Sequence, residues 1–352
     1  MLFTPLTLRG VTLRNRIAVS PMCQYSSDDG YANDWHLVHL GARAAGGAGL
    51  VVAEATAVEA RGRISPRDLG IWSDAHVEGL ARVTRFIAGQ GAVPAVQLAH
   101  AGRKASTSVP WEGDSPVATD KGGWVPVGPS PIAYAPGSPV PTALSEAQIA
   151  EVVASFVAGA RRARAAGFRV AELHFAHGYL VHEFLSPHSN QRTDRYGGGF
   201  ENRTRLAREI ARAVRGVWPE EMPLFARLSC TEWAEGGWDL PQSIELARGL
   251  KADGVDLIDC SSGGNVHGVK IPAGPGFQTV FAETIRRDAA VPTGAVGFIT
   301  TASQADHVLR TGQADLVLLA RQLLRDPHWP LRAAAELRAE IEWPKQYLRG
   351  KF

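Results

Sequence analysis

The chain has 352 residues, 45% of them hydrophobic and 20% charged, so it is long enough to bury a large core. Its 37 lysines and arginines nearly balance 35 acidic residues, and the net charge of +2 gives no electrostatic reason to expect nucleic acid or a membrane as a partner. The sequence shows neither a signal-peptide pattern nor 18 consecutive apolar residues, which predicts a soluble, cytoplasmic protein.

Short apolar runs alternate with longer amphipathic segments eight times along the chain. The predicted strands are 16–20, 50–54, 93–98, 170–174, 224–229, 257–261, 293–296 and 316–320, short enough for buried parallel strands. The predicted helices are 35–45, 75–89, 145–166, 201–217, 242–253, 277–287, 301–310 and 326–341. Ser145 with Gln148 resembles a capping box, and Gly167, Gly254 and Gly312 stand where helices should end.

Eight such units predict one (β/α)₈ TIM barrel over residues 1–352 rather than a doubly wound sheet. A bare barrel needs roughly 250 residues, so about 100 must be additions. We expect an N-terminal hairpin beneath the barrel, an insertion at 102–143 after the third strand that acts as a lid, a polar loop at 176–200 and a tail at 342–352.

The active site of a TIM barrel lies at the C-terminal ends of its strands. Reactive or polar side chains follow several of the predicted strands and are expected to meet on that face. They are Pro21, Met22, Cys23 and Tyr25; Ala55–Ala57; Gln97, His100, Arg103 and Lys104; His174, His177 and Tyr179; Arg227; 261–265; Gly297; and Arg321.

The segments after the last two strands, AVGFIT and LLARQLLRD, are typical of a phosphate site. Each has a glycine or small residue followed by a helix start, where backbone N–H groups can hold a phosphate and Arg321 can add charge. The alternatives are ordinary turn chemistry at Gly297 and an ion pair for Arg321 on the helix ring.

His174 and His177 stand three residues apart in HFAHGYL. Two imidazoles there can donate hydrogen bonds to one carbonyl or nitro oxygen and stabilise its developing charge. The alternatives are a metal site and plain packing. A metal needs three or four ligands, and no further ligand is expected because we place Glu172 on the other face of its strand. Tyr179, two residues on, is placed to donate a proton, or else packs as an aromatic under the lid.

Arg227 points a fixed cation at the barrel mouth, where a flavin edge or a structural ion pair could neutralise it. Lys104 is weaker as a candidate, because loop lysines are usually solvated.

The three cysteines are far apart in sequence, so a disulfide framework is not expected. Cys230 and Cys260 fit buried small hydrophobes, whereas the strand-end position of Cys23 favours a function.

The chain resembles the old yellow enzyme family from about residue 3 to its end. The motifs are SPMCQYS at 20–26, DWHLVHL at 34–40, EATAV at 54–58, QLAHAGRKA at 97–105, HFAHGYLVHEFLSP at 174–187, NQRTDRYGG at 190–198, FENRTR at 200–205, GAVGFIT at 294–300 and RQLLRDP at 321–327. Within that family, Cys23, Tyr25, the histidine pair and the QYLRG tail are similar to the bacterial thermophilic-like branch, which includes xenobiotic reductases.

This resemblance implies an FMN-dependent ene-reductase that takes hydride from NADPH or NADH and delivers it to α,β-unsaturated carbonyl or nitro compounds. It implies that FMN is bound by Ser20, Pro21, Met22, Cys23, Ala57, Gln97, Arg227, Gly297, Ala320 and Arg321. It implies that His174 and His177 hold the substrate oxygen, with Tyr25, Lys104 and Arg349 beside the substrate and Tyr179 as proton donor.

The family's tail crosses a two-fold interface, which implies a homodimer or dimer of dimers in which Arg349 reaches the neighbouring active site. The chain departs from the family pattern at Arg195, in the GGGF approach to FENRTR and in its RGKF ending, the last of which affects the active-site rim. Three other classes stay open: a dienoyl-CoA reductase-like flavoenzyme, a metal-dependent barrel hydrolase using the histidine pair, and a barrel that has lost catalysis.

Overall fold

The computed structural model describes residues 1–351 and contains a closed barrel of eight parallel strands. Around the barrel the strands follow the order β3 (Ile17–Val19), β4 (Leu50–Ala57), β5 (Val93–Ala99), β8 (Val170–Phe175), β9 (Leu224–Ser229), β10 (Leu257–Ser261), β11 (Thr293–Ala295) and β12 (Leu316–Leu319). Hydrogen bonds between β12 and β3 close the barrel. The predicted TIM barrel is therefore confirmed.

Helices follow the barrel strands and cover their outer surface. They are α1 (Asp34–Ala45), α2 (His76–Gly89), α3 (Glu146–Ala165), α4 (Leu180–Leu185), α5 (Phe200–Arg215), α6 (Leu240–Ala252), α7 (Thr279–Asp288), α8 (Ala302–Arg310), α9 (Arg321–Arg325) and α10 (Trp329–Glu336). The capping box of Ser145 and Gln148 at the start of α3 is present. Gly167, Gly254 and Gly312 follow α3, α6 and α8 with positive φ, as predicted.

The predicted helix at 326–341 is wrong in its extent. The structure has two shorter helices, α9 and α10, on either side of Asp326–His328. Asp326 is extended (φ −142°, ψ 94°) because the ring of Pro327 disfavours helical backbone in the residue before it. The chain therefore turns there, and residues 337–344 lie outside any helix.

Two short strands, β1 (Leu6–Leu8) and β2 (Val11–Leu13), form the predicted antiparallel N-terminal hairpin. Val11 and Leu13 are buried against an apolar layer inside the barrel. That layer consists of Ala18, Leu50, Val52, Ala95, Val170, Phe225, Leu257, Val296, Leu316 and Leu318. The hairpin therefore closes the N-terminal end of the barrel and keeps water from its apolar interior.

The insertion at 102–143 contains three 3₁₀ turns and a two-stranded pair, β6 (Val127–Gly128) and β7 (Thr142–Ala143). Trp124 fixes it to the barrel by donating a hydrogen bond from Nε1 to the carbonyl of Arg61 (2.8 Å). The polar loop predicted at 176–200 contains a short helix, α4, whose residues are all buried.

No helix within residues 1–351 is long and apolar enough to cross a membrane.

Candidate active site

A polar layer lies inside the barrel above the apolar layer. Side chains alternate along a strand, so the residues two positions beyond Ala95, Val170, Phe225 and Leu257 also point inward. These residues are Gln97, Glu172, Arg227 and Asp259, and all are buried. The prediction that Glu172 points to the other face is wrong. Glu172 and His174 are two residues apart and share the inner face.

Arg227 has a protein partner inside the barrel. Its Nε lies 3.0 Å from Oδ2 of Asp259, which is fully buried, and its Nη1 donates to Oγ of Ser20 (3.2 Å). The structural ion pair considered from the sequence is thus present. Arg227 also lines a cleft at the C-terminal end of the barrel, so the pair does not remove it from the barrel mouth.

His174 and His177 come together as predicted. Nε2 of His174 lies 3.4 Å from Nδ1 of His177, while Nε2 of His177 lies 2.7 Å from Oγ of Ser261. Burial, reinforced by the charge of Arg227, holds the pKa of both imidazoles well below the usual range, so both rings are neutral. If Ser261 donates to Nε2, His177 carries its proton on Nδ1, beside Nε2 of His174.

The backbone that presents His177 is in an uncommon conformation. His177 has φ +61°, and its N–H donates to Oγ of Ser229 (2.9 Å). Gly178 follows with φ +70°, and a Cβ there would lie 2.2 Å from the carbonyl oxygen of Gly264. Glycine at 178 is therefore required for the strand β8 to turn and point the second imidazole at the first.

Lys104 is held in place by backbone oxygens. Its Nζ donates to the carbonyls of His177 (2.9 Å) and Gly264 (3.1 Å) and lies 4.9 Å from the ring centroid of Tyr179. Burial lowers the pKa of the ammonium group to about 8, so the solvated-lysine alternative is wrong. The ring of Tyr179 packs edge-on against His174 at 5.1 Å. Burial raises the pKa of Tyr179 well above the usual range, which keeps the phenol protonated.

A cavity of about 620 Å³ lies between the insertion and the barrel mouth. Its lining includes Tyr25, Lys104 and Tyr179 from the barrel side, and Tyr134 and Asp114 from the insertion. Tyr25 is in the left-handed region (φ +49°) and packs edge-on against Trp111 of the insertion. Two of the predicted substrate residues, Tyr25 and Lys104, therefore face one space together with the predicted proton donor Tyr179.

Pro21, Met22 and Cys23 follow β3 and are half-buried. Cys23 packs in a small cluster with Ile64, Ala101 and Tyr179. Burial raises the pKa of its thiol well above the usual range, and the nearby carboxylate of Asp68 adds to this rise. The thiol is thus protonated and poorly nucleophilic. Cys23, Cys230 and Cys260 are free, and the latter two are buried as expected.

A second cleft, of about 220 Å³, lies beyond β11 and β12 and contains the predicted phosphate residues Gly297, Ala320 and Arg321. Arg325 also lines it, and no ion pair is present for either arginine within the described part of the chain. The guanidinium of Arg321 lies over the ring of Phe298 at 4.1 Å. Two exposed, unpaired cations beside backbone N–H groups fit a phosphate such as that of FMN.

Gly297 has φ +127°, and a Cβ there would lie 3.1 Å from Nε2 of Gln278. Glycine at 297 is thus needed for the backbone to pass close to the cleft. Ala57 ends β4, Gln97 lies on the adjacent strand β5, and both are buried.

Arg349 lies in an exposed 3₁₀ helix (Lys345–Gly350) and lines neither cleft. The ring of Tyr347 packs against His328 at 5.5 Å, which ties this helix to the start of α10. Phe352, the last residue of the predicted interface segment, lies outside the described residues.

Among residues 1–351, no group of three or more His, Cys, Asp or Glu side chains is arranged to hold a metal ion.

Sequence reasoning did not single out Asp259, Glu172 or Arg325 as members of the site. An acidic residue in an apolar strand, as in LIDCS, was a usable signal for Asp259. Arg325 follows Arg321 by four residues, one helical turn, which predicts that both guanidinium groups face the same side.

Comparison with known proteins shows the family of the chain. Residues 1–340 match the family model described as NADH:flavin oxidoreductase / NADH oxidase family. An NADPH dehydrogenase of Halalkalibacterium halodurans is 50% identical over 351 residues, covering 99% of this chain and 98% of that one.

Two solved structures show the same fold. Morphinone reductase in complex with tetrahydroNAD has a TM-score of 0.78 and 29% identity, covering 98% of this chain and 92% of that one. 2-Naphthoyl-CoA reductase with 2-naphthoyl-CoA has a TM-score of 0.87 and 25% identity, and this chain spans only 52% of its length.

The resemblance to the old yellow enzymes is confirmed, and the cofactors are FMN and NAD(P)H. The chain belongs to the NADH:flavin oxidoreductase / NADH oxidase family and is an FMN-dependent NAD(P)H oxidoreductase.

Proposed function

We propose that the enzyme reduces the C=C bond of α,β-unsaturated carbonyl and nitro compounds. The observation that carries this proposal is the pair of neutral imidazole nitrogens, Nε2 of His174 and Nδ1 of His177, 3.4 Å apart. One substrate oxygen can accept a hydrogen bond from both. Such an oxygen gains negative charge when hydride adds to the β-carbon, so the pair stabilises the transition state more than the bound substrate.

The cofactor residues are proposed from the 220 Å³ cleft and from the ends of the barrel strands. Arg321, Gly297 and Ala320 would hold the FMN phosphate, while Ser20, Pro21, Met22 and Cys23 would lie along the isoalloxazine. Ala57, Gln97 and Arg227 would contact its polar edge. When bound, FMN supplies the hydride, which it has received from NAD(P)H.

Tyr179 is the proposed proton donor to the second alkene carbon. Its phenol stays protonated in the folded protein, and it lines the 620 Å³ cavity beside His174. Lys104 and Tyr25 line the same cavity and would contact the substrate. Proton delivery by Tyr179 lets the two imidazoles remain hydrogen-bond donors throughout the reaction.

We also propose a homodimer, or a dimer of dimers, in which Arg349 enters the active site of the partner subunit. Its exposed position and the exposed neighbours Tyr347 and Leu348 support this proposal, since aromatic residues and arginine are enriched at interfaces.

The insertion at 102–143 would act as a lid over the substrate. Three free cysteines and the need for NAD(P)H fit the cytoplasm.

The test is the reduction of 2-cyclohexenone by His174→Ala and His177→Ala. Each variant should keep FMN, because neither side chain lines the phosphate cleft. Each should lose roughly 10²-fold or more in turnover, as removal of an oxyanion donor does. Wild-type turnover in either variant would contradict the proposal, and loss of FMN would indicate a structural role instead.

A further inference from the structure

Two buried carboxyl groups stand behind the proposed cofactor residues. Nε2 of Gln97 donates to Oε1 of Glu172 (2.7 Å), and Nε of Arg227 lies 3.0 Å from Oδ2 of Asp259. Glu172 and Asp259 are each 0% exposed. Neither carboxyl group lines either of the two clefts described above.

The strand register makes these four side chains one cluster. Gln97 of β5 pairs with Glu172 of β8, and Arg227 of β9 pairs with Asp259 of β10. Since β8 and β9 are also adjacent, the carboxyl groups flank Arg227 within one layer of the barrel. The titratable and polar groups facing the cluster are Gln97 from β5, His174 from β8, Arg227 from β9 and Ser20 after β3.

Charge in this layer does not balance if both acids are ionised. Two carboxylates would face one guanidinium, and the neighbouring His174 is neutral. An uncompensated buried charge is costly, and such a group takes up a proton instead. Burial raises the pKa of both carboxyl groups, but the Asp259 carboxylate raises that of Glu172 further, whereas the guanidinium of Arg227 directly against Asp259 lowers the pKa of Asp259. Glu172 is therefore the better holder of the proton.

We propose that Glu172 and Asp259 hold one proton between them, carried by Glu172, and act as positioning residues that orient Gln97 and Arg227 for the cofactor. This inference rests on the proposed roles of Gln97 and Arg227. With Asp259 ionised, Arg227 is held at the barrel mouth. Oε1 of Glu172 accepts from Nε2 of Gln97, which turns the amide of Gln97 so that its Oε1 can accept from the cofactor.

The proton itself is tested on apoprotein, without FMN. Infrared difference spectra at neutral pH, wild type minus variant, isolate this proton from other buried acids such as Glu183. The difference with Glu172→Gln should contain the carbonyl stretch of one protonated carboxylic acid. The difference with Asp259→Asn should contain the same band, because Glu172 then becomes the only counter-ion of Arg227. Absence of the band from either difference spectrum would overturn the proposed proton.

The positioning role is tested by the dissociation constant of FMN, measured by fluorescence in neutral and in alkaline buffer. Wild type should bind FMN roughly tenfold more weakly once the proton is lost, because a negative charge then faces the same edge. Glu172→Gln should bind within about threefold of wild type at neutral pH and show no alkaline weakening.

Glu183→Gln is the matched control. Glu183 is also buried, and burial raises its pKa to about 8, but it lies on α4 and accepts from the N–H of Arg103. This variant should keep the alkaline weakening. If Glu183→Gln abolishes it and Glu172→Gln does not, the inference is wrong. The infrared bands can behave as expected while Glu172→Gln still binds FMN more weakly in alkaline buffer, as wild type does. In that case Gln97 and Arg227 do not contact the cofactor.

Discussion

Nε2 of His177 lies 2.7 Å from Oγ of Ser261. Ser261, at the end of β10, thereby orients the imidazole of His177, which lies on the loop after β8. The hydroxyl can donate to Nε2 and so place the ring proton on Nδ1, where the substrate oxygen would be. Ser261 thereby selects the tautomer on which the proposed oxyanion site depends.

Ser261→Ala should lower turnover of 2-cyclohexenone by about three- to tenfold, the effect of one neutral hydrogen bond. Ser261 also lines the cleft of the proposed phosphate site, so turnover is measured by steady-state rates per bound flavin, and the flavin spectrum gives the FMN content. Ser155→Ala is the control, since Ser155 donates to Glu59 on the outside of the barrel (2.9 Å). An equal loss in both variants would mean that Ser261 acts on general stability.

The sequence was sufficient to predict the barrel, its eight strands, the hairpin and most helix ends, because periodicity and capping residues are local signals. It also located His174, His177 and Tyr179, because strand ends meet on one face of a barrel. It did not reveal the partners of these side chains. The bond from His177 to Ser261 and those from Lys104 to two carbonyls join distant segments, and nothing in their local patterns predicts them.

The error at Glu172 has a different origin. Residues two apart on a strand share a face, so the inward position of His174 already required Glu172 to point inward. Its burial in the barrel with Asp259 became visible only when the register placed β8, β9 and β10 side by side. The predicted extent of helix 326–341 is wrong for another reason. Apolar periodicity continues past Pro327, but the proline ring disfavours helical backbone at Asp326 and ends α9 there.

Lys104 should make substrate binding depend on pH. Burial lowers its pKa from the usual 10.5 to about 8, so its positive charge is present below about pH 8 and is lost as the pH rises through that value. The KM for 2-cyclohexenone should therefore rise in alkaline buffer, and Lys104→Met should show the raised KM at every pH. Lys121→Met, at an exposed site in the insertion, is the control. A KM profile that is the same in wild type and Lys104→Met would contradict the substrate contact.

Tyr179→Phe should separate the two half-reactions. The phenol is proposed to donate the proton during alkene reduction only, so reduction of the flavin by NADPH should keep nearly its wild-type rate. Reoxidation by 2-cyclohexenone should slow by about 10²-fold, the lower range for loss of a general acid. Stopped-flow absorbance of the flavin measures each step separately. Equal slowing of both steps would indicate that the ring shapes the site without donating a proton.

The last prediction concerns the tail. Tyr347 packs against His328, and Lys351 donates to Oε2 of Glu340 (3.1 Å). Leu348 is 53% exposed, and Arg349 is exposed with no ion pair within residues 1–351. An apolar side chain and a free cation on one short exposed helix fit a contact with a second copy of the chain.

Deletion of residues 345–352 should leave a folded, yellow protein, because these residues contribute nothing to the barrel core. The deletion should weaken the dimer in sedimentation velocity and raise KM for 2-cyclohexenone. Arg349→Ala should raise KM while keeping the dimer, since it removes the proposed contact with the partner's active site and leaves the apolar contact of Leu348. Lys345→Ala, in the same helix, serves as the control for loss of a surface charge. An unchanged oligomer together with an unchanged KM in the deletion would exclude a shared active site.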